Sequence, residues 1–437
     1  MPGGSSRQTL SFSARRPAAG PRALVVRRDR AAPASATLAL EAAVIEAAAA
    51  AGVPVPAVLA APAGHDPATC AFVVMDRVEG ETIPRRVLRL VHAEGTGEAL
   101  AAQCGRILAA VHALEPSSVP GLPGGDPLEQ LRGVLDLMPG AHPVLEAGLR
   151  YLAARRPPRW GDAVVHGDFR TGNLVVGPEG VRAVLDWELA HRGDPLEDLG
   201  WLCARAWRFG SSLPVGGFGR LDTLLAAYET ASGRPVDAEA LVWWEAFASL
   251  RWGVICLVQV AAHLSGAVRS VELAAIGRRV CEAEWDLLSL LDTSPGDDAA
   301  PGDDAAPGDS PGAADEEEAS FVDAPHDGPG AEGLLGAVEE LLRDALLPSA
   351  EGRRAFDLRV AANVLAMVRR QLRLGPAQAV RHRRRLAALG VTDDAELATA
   401  IRSGAFDGRS VELLAVLRLV VADKLAVANP AYGGEGA

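Results

Sequence analysis

"VVHGDFRTGN" occupies Val164 to Asn173, and "LDWE" follows at Leu185 to Glu188. The chain is 49% hydrophobic, yet here a His, two Asp and an Asn crowd around one short apolar segment. That segment, "NLVVGPEGVRAVLDW" (173–187), reads as a β-hairpin turning at Gly177 to Gly180. Such a turn pairs Val176 with Val181 and, counting outward, sets Asn173 opposite Val184. Side chains alternate along strands, so Val184 and Asp186 share a face. Asn173 and Asp186 then become diagonal neighbours, with Cα atoms about 7–8 Å apart. Two oxygen-bearing side chains across that gap can hold one hard cation. Mg²⁺ suits a few protein oxygens completed by water and phosphate oxygens. Asp168, in the loop before Asn173, can accept a proton from a hydroxyl. Any one of these residues could merely cap a turn. The set at this spacing points to phosphoryl transfer, in which positioning and charge neutralisation do most of the work.

The 437 residues are too many for one hydrophobic core, so two or three domains are expected. The net charge of −13 is unevenly spread. Residues 1–293 carry a net −4, 294–330 a net −11 and 331–437 a net +2. The acidity belongs to "TSPGDDAAPGDDAAPGDSPGAADEEE" (293–318), which holds a PGDDAA repeat. Such a stretch cannot bury enough apolar surface to offset its ordering entropy and reads as a disordered linker. The organisation expected is therefore 1–293, a linker at 294–330, and 331–437. A chain ended near Asp292 should fold alone. Nothing in this charge pattern points to nucleic acid or a membrane as partner.

The five Cys show no CxxC spacing, which argues against a disulfide framework or zinc site. No signal-peptide core is apparent, and "WGVICLVQVAAHL" (252–264) is too short to span a bilayer. These features imply a cytoplasmic location.

Strands are expected at 9–14, 23–28 and 71–75, and helices at 37–52 and 97–114. The latter places Leu100, Cys104, Ile107, Leu108 and Val111 on one face. Residues 331–437 read as a helical bundle, with helices at 334–347, 353–373, 377–389, 393–403 and 409–428. Pro376 would open the third, and Gly375 and Gly404 would sit at ends. Leu334, Leu335, Val338, Leu341 and Leu342 would line one face of the first. The run "RHRRR" (381–385) reads as a solvated helix face.

His166-Gly167-Asp168-Phe169-Arg170-Thr171-Gly172-Asn173, followed by Asp186-Trp187-Glu188, resembles the aminoglycoside phosphotransferase and choline kinase-like family. The resemblance covers about 1–293. It implies an α+β, protein-kinase-like two-lobed fold, with a small β-rich N-lobe and a helical C-lobe. It also implies ATP and Mg²⁺ as cofactors, Asp168 as catalytic base, and Asn173 and Asp186 as metal ligands. His166 would orient the loop. Asp198, in "GDPLEDLGWL" (193–202), would brace it through backbone hydrogen bonds, or would simply be a charge near a helix N-terminus.

At the nucleotide end, "PGGSSRQT" (2–9) resembles the family's phosphate-covering loop, through Gly4 and Ser6. Arg27 in "VVRR" stands where kinases place a Lys. Lys424 is the sole Lys of the chain, so Arg must serve. Glu41 is its expected ion-pair partner. "FVVMDRVEG" (72–80) resembles the hinge, whose backbone at Asp76 and Val78 would meet adenine.

The near-neutral first region gives no support for a polycationic substrate. Arg205 and Arg208, with Trp201 and Trp207 in "WLCARAWRFG", suit an anionic small-molecule hydroxyl acceptor. "GVPVP", "HGDFRTGN" and "LDWELAHRGDPLEDLGWL" are most similar to kinase domains fused to acyl-CoA dehydrogenases. That resemblance implies a hydroxyacyl-CoA acceptor and an acyl-CoA dehydrogenase as pathway partner. Two rival readings are a nucleotide-binding pseudokinase scaffold and an antibiotic kinase.

Overall fold

The computed structural model describes residues 7–15, 20–29, 36–61, 72–159, 161–291 and 330–432. Gly4, Ser6 and nearly all of the 294–330 linker lie outside them. By internal contacts the described chain forms two compact units, one ending at Ile255 and the other beginning at Cys256 and including Gly140–Val144.

The first unit has the expected two-lobed arrangement. Its small lobe is a four-stranded sheet of β1 (Arg7–Arg15), β2 (Pro21–Asp29), β3 (Val58–Ala60) and β4 (Phe72–Asp76), in the order β1-β2-β4-β3. All pairings are antiparallel, with Ser11 opposite Val25 and Val25 opposite Met75. Helix α1 (Ala36–Ala50) buries Leu38, Ala42, Val44, Ile45 and Ala48.

The helical lobe contains α2 (Pro84–Glu94), α3 (Gly97–His112), α4 (Pro127–Leu135) and α5 (Pro143–Ala154). The expected face of α3 is buried at Leu100, Cys104, Ile107, Leu108 and Val111. Two short ribbons follow. Strand β5 (Ala163–Val165) is joined by the hairpin β6 (Leu174–Gly177) and β7 (Gly180–Val184), and then by β8 (His191–Gly193), which pairs with β5. The lobe is completed by α6 (Leu196–Cys203), α7 (Leu221–Ser232) and most of α8 (Ala238–Leu264). Helix α7 packs on α3 where α3 lacks a side chain: a Cβ at Gly105 would meet the Leu224 carbonyl oxygen at 2.5 Å.

Asp126 shows how a surface group secures an element here. It caps α4, accepting from the N–H groups of Leu128 at 2.9 Å and Glu129 at 3.1 Å, and it pairs with Arg156. The Arg156 hydrogen bond, strongest among these influences, holds its carboxyl down at about 2. A depressed carboxyl stabilises the fold above its unfolded value near 4, and that contribution is lost as pH falls toward 2. Because the pair is largely solvent-exposed, Asp126→Ala is expected to cost about 1 kcal/mol at pH 7, mostly from the lost cap. In thermal melts the gap between variant and parent should close between pH 5 and pH 2. A constant gap would show that the carboxylate charge contributes nothing.

The second unit corrects the expected boundary. It contains α9 (Val271–Ile276), α10 (Val280–Leu291), α11 (Ala331–Glu340), α12 (Gly352–Leu389), α13 (Asp394–Ser403) and α14 (Ser410–Ala428). Residues 256–291, assigned from sequence to the first domain, thus belong with the C-terminal helices. Three buried carboxylates on α10 explain this. Glu284 pairs with Lys424 at 2.9 Å, Glu282 accepts from Asn429 at 2.9 Å, and Asp286 accepts from the Tyr432 hydroxyl at 2.7 Å.

Further expectations fail for physical reasons. Helix α12 runs unbroken through Gly375 and Pro376. Proline removes one N–H there, but this stretch is solvent-facing, with Leu372 47% exposed, so water can take the freed carbonyl. The apolar face that carries Leu334, Val338 and Leu341 is 56%, 47% and 53% exposed at those residues. Arg381 and Arg385 are tied to Asp423, and His382 to Asp394. The apolar 252–264 stretch is the end of the 27-residue α8, which is long and apolar enough to cross a membrane, although Trp243, Trp244, Phe247, Leu250 and Val254 are buried within the protein.

Candidate active site

Pairing of β5 with β8 brings the segment after β5 alongside the segment before β8. The first carries 166–173, the second 185–190. His166 is fully buried between Phe169 and Trp187, with ring centroids 5.9 and 4.5 Å away. Its Nε2–H donates to the Leu185 carbonyl at 3.1 Å, and Nδ1 accepts from the Asp168 N–H at 3.1 Å. That pattern needs the neutral ring, and burial pushes the imidazole below its ordinary range. His166 thus ties the two segments together.

Asp198, on α6, is fully buried. It accepts from the N–H of His166 at 2.7 Å and of Gly167 at 2.9 Å. His112 Nε2 stands 3.2 Å away, and the Tyr228 hydroxyl lies 2.8 Å from His112 Nδ1. Burial works against the Asp198 charge, but the hydrogen bond to His112 and the one from the His166 backbone N–H hold its carboxyl below the usual range. Of its two readings, the brace is the one observed. Gly167 has φ +78, and a Cβ there would collide with the Leu189 carbonyl oxygen, so only glycine fits.

The Asp168 carboxylate is almost fully engaged. Oδ1 accepts from Trp201 Nε1 at 2.8 Å and Arg170 Nε at 2.9 Å. Oδ2 accepts from Asn173 Nδ2 at 2.6 Å. Asn173 does not lie opposite Val184 as counted. A bulge between Val175 and Val176 shifts the register, so Leu174 faces Val184 and Asn173 ends a short 3₁₀ turn. Asp186 has also left the strand, at φ +65. Strand alternation therefore does not relate the two. They are brought near one another because Leu185 N–H donates to the Asn173 carbonyl at 2.8 Å.

Arg27 forms the expected pair with Glu41, and its Nη2 reaches Asp186 at 2.9 Å. Sequence reasoning missed two members of this cluster. Arg7, buried at the start of β1, also pairs with Glu41 and lies 3.3 Å from Glu188, which is 3.6 Å from Arg27. Burial pushes the carboxyls of Glu41 and Glu188 up. Two arginines thus face three carboxylates. Arg27 Nε is buried with no hydrogen-bond partner among the described residues.

Asp76 is bound to Arg22 at 2.6 Å, and its N–H to the Ala57 carbonyl at 3.0 Å. Val78 follows β4, just outside the strand. Trp201 and Trp207 are buried. Arg208 is occupied by the Cys203 carbonyl and Glu245, and Arg205 is half-buried. Arg208 is therefore structural rather than a free anion contact.

The model of the Phosphotransferase enzyme family matches residues 5–243. The chain belongs to this family and is a small-molecule kinase. A model of a domain of unknown function matches 348–432. The chain is 41% identical over 75 residues to mouse acyl-CoA dehydrogenase family member 10, and 36% over 93 residues to chicken acyl-CoA dehydrogenase family member 11. These matches cover 17% and 21% of this chain but only 7% and 12% of those relatives. A crystal structure assigned as an aminoglycoside phosphotransferase from Ralstonia eutropha superposes with a TM-score of 0.52 at 22% identity. It covers 66% of this chain and 94% of that one, and shows the shared kinase-like fold.

Proposed function

We propose that this kinase transfers the γ-phosphate of ATP to a hydroxyl of an anionic, partly apolar small molecule, with Asp168 as base. The observation that carries this is the hydrogen bonding of Asp168. Both lone pairs of Oδ1 are taken by Trp201 and Arg170, whereas Oδ2 is met only by Asn173 among the described residues. Oδ2 therefore keeps one site for a hydroxyl proton. The hydroxyl oxygen forms its bond to the γ-phosphorus, the bond to the β–γ bridging oxygen breaks, and ADP leaves.

Arg27, with its unpartnered buried Nε, is the cation suited to the nucleotide phosphates, Glu41 holding its other side. Gly4, Ser6 and the backbone at Asp76 and Val78 complete the proposed nucleotide contacts. The donor set of Asp186 and the Asn173 side-chain oxygen fits Mg²⁺, which takes one or two carboxylates and completes its shell with phosphate and water. Bound there, the ion would neutralise phosphate charge. The intact Asp168, Asn173 and Asp186 favour a kinase over a scaffold.

Acceptor chemistry is suggested by a cavity of about 490 Å³ between α2 and the 211–218 segment. Leu88, Leu213 and Phe218 line it, with Arg89, His92 and Glu98 as its charged or titratable groups. It adjoins the catalytic loop, because the Thr171 hydroxyl donates to the Gly216 carbonyl at 3.0 Å. Together with the named relatives, this supports a hydroxyacyl-CoA and an acyl-CoA dehydrogenase acting in the same pathway. The buried free thiols of Cys104, Cys203, Cys256 and Cys281 suit a reducing, cytoplasmic setting.

Aminoglycosides, choline-like amines, sugars and hydroxyacyl-CoA thioesters should be compared for acceptor-dependent ADP release. The thioesters are expected to be turned over at least tenfold more efficiently than any polycation. Efficient phosphorylation of an aminoglycoside, with none of the thioesters, would restore the antibiotic-kinase reading.

A further inference from the structure

Helix α6 grips the catalytic loop twice. Asp198 holds the loop backbone at His166 and Gly167, and Trp201, one turn later on the same helix, reaches the Asp168 side chain. We propose that Trp201 is a positioning residue for phosphoryl transfer, its indole N–H fixing the orientation of the Asp168 carboxylate. This rests on Asp168 acting as the base.

The terminal torsion of an Asp side chain is broad and roughly two-fold, so an unheld carboxylate sweeps its oxygens through a wide arc. Two donors meet Oδ1 here, but they differ in permanence. Arg170 is 26% exposed and open to competition from water, whereas Trp201 is 2% exposed and shielded from it. The Trp201 ring is itself immobilised. Trp207 packs against it with centroids 5.2 Å apart, and the Arg251 guanidinium lies 4.7 Å over it. Arg251 is fixed in turn by Glu197 at 3.2 Å. Trp207 packs on Trp252 at 4.8 Å and carries Arg170 at 4.7 Å. Both donors to Oδ1 are therefore seated on one cluster of indoles. Held this way, Oδ1 is turned inward and Oδ2 is left for the acceptor.

A buried Trp also contributes packing, so the test must separate the N–H from the ring. Two full-length variants serve: Trp201→Phe, and replacement of Trp201 by benzothienylalanine, which keeps the shape and puts sulfur in place of N–H. Turnover is read on a hydroxydecanoyl-CoA and on water as acceptor. Both variants should lose 10- to 100-fold in kcat, the range a displacement near 1 Å costs, with KM for ATP and acceptor within about twofold of the parent. In an Asp168→Asn background Trp201→Phe should add no further loss, because the basic oxygen that it orients is already gone. If Trp201→Phe fails to fold, the benzothienylalanine enzyme decides. Parental kcat in that enzyme overturns the proposal, as does a full additional loss in the Asp168→Asn background. Parental turnover by Asp168→Asn itself would instead remove the base assignment, and this inference with it.

Discussion

Asp168→Asn is expected to lower turnover by on the order of 10³-fold while leaving nucleotide affinity within about twofold. The change is nearly isosteric. The new amide keeps one oxygen to accept from Trp201 and Arg170, so the loop should stay seated. What disappears is the oxygen now 2.6 Å from Asn173 Nδ2, with the lone pair left for the acceptor hydroxyl. An amide nitrogen has no basic lone pair to offer there. The proposed phosphate cation Arg27 is held by Glu41 and Asp186 rather than by Asp168, so ATP binding should survive. Titration calorimetry with a non-hydrolysable ATP analogue and ADP release in the presence of acceptor would be run on both proteins. Turnover within tenfold of the parent would show that the proton leaves by another route.

A chain ended after Leu291 should lose the second unit altogether and aggregate. Helix α10 buries Leu287, Leu288 and Leu291, and α14 is among the elements packed on it. Each such leucine is worth roughly 1.5–3 kcal/mol when fully buried. Arg418 also binds the Leu288 carbonyl at 3.1 Å, and Lys424, Asn429 and Tyr432 meet the three carboxylates. Truncation would present an apolar ridge to water beside carboxylates that have lost their partners. Light scattering and far-ultraviolet circular dichroism on the truncated and full chains decide the matter. A monomeric truncated protein melting as sharply as the parent would show that α9 and α10 hold without the C-terminal helices.

The site was legible where its chemistry lies close in sequence. His166, Asp168, Asn173 and Asp186 sit within one loop and hairpin, and short-range geometry keeps them together. Arg27 and Glu41 were likewise readable, from a strand and the helix after it. The route from Asn173 to Asp186 was not, because a bulge leaves no mark in "LVVGPEGV" and Asp186 adopts a left-handed backbone without being glycine. Arg7, Glu188 and Trp201 are tertiary facts. Each is an ordinary residue until a distant segment arrives, although Glu188 stood inside the quoted motif. Helix α12 kept its course through Pro376 because water can repair one missing bond on an exposed face. The boundary at 293 was drawn from composition, which marks a linker but cannot reveal what α10 packs against.

The backbone at Gly167 bears on how this catalytic loop can evolve. Protein kinases place an Arg between the His and Asp of the corresponding loop. In this chain, any side chain at 167 strikes the peptide at Leu189, and that peptide runs directly into β8, which is locked to β5. One codon change therefore cannot carry a His-Gly-Asp loop to a His-Arg-Asp loop. The 185–190 segment would have to be rebuilt first, and every intermediate would carry a clash beneath the proposed base, Asp168. The two loop types are separated by a barrier in backbone geometry that no single substitution at 167 crosses.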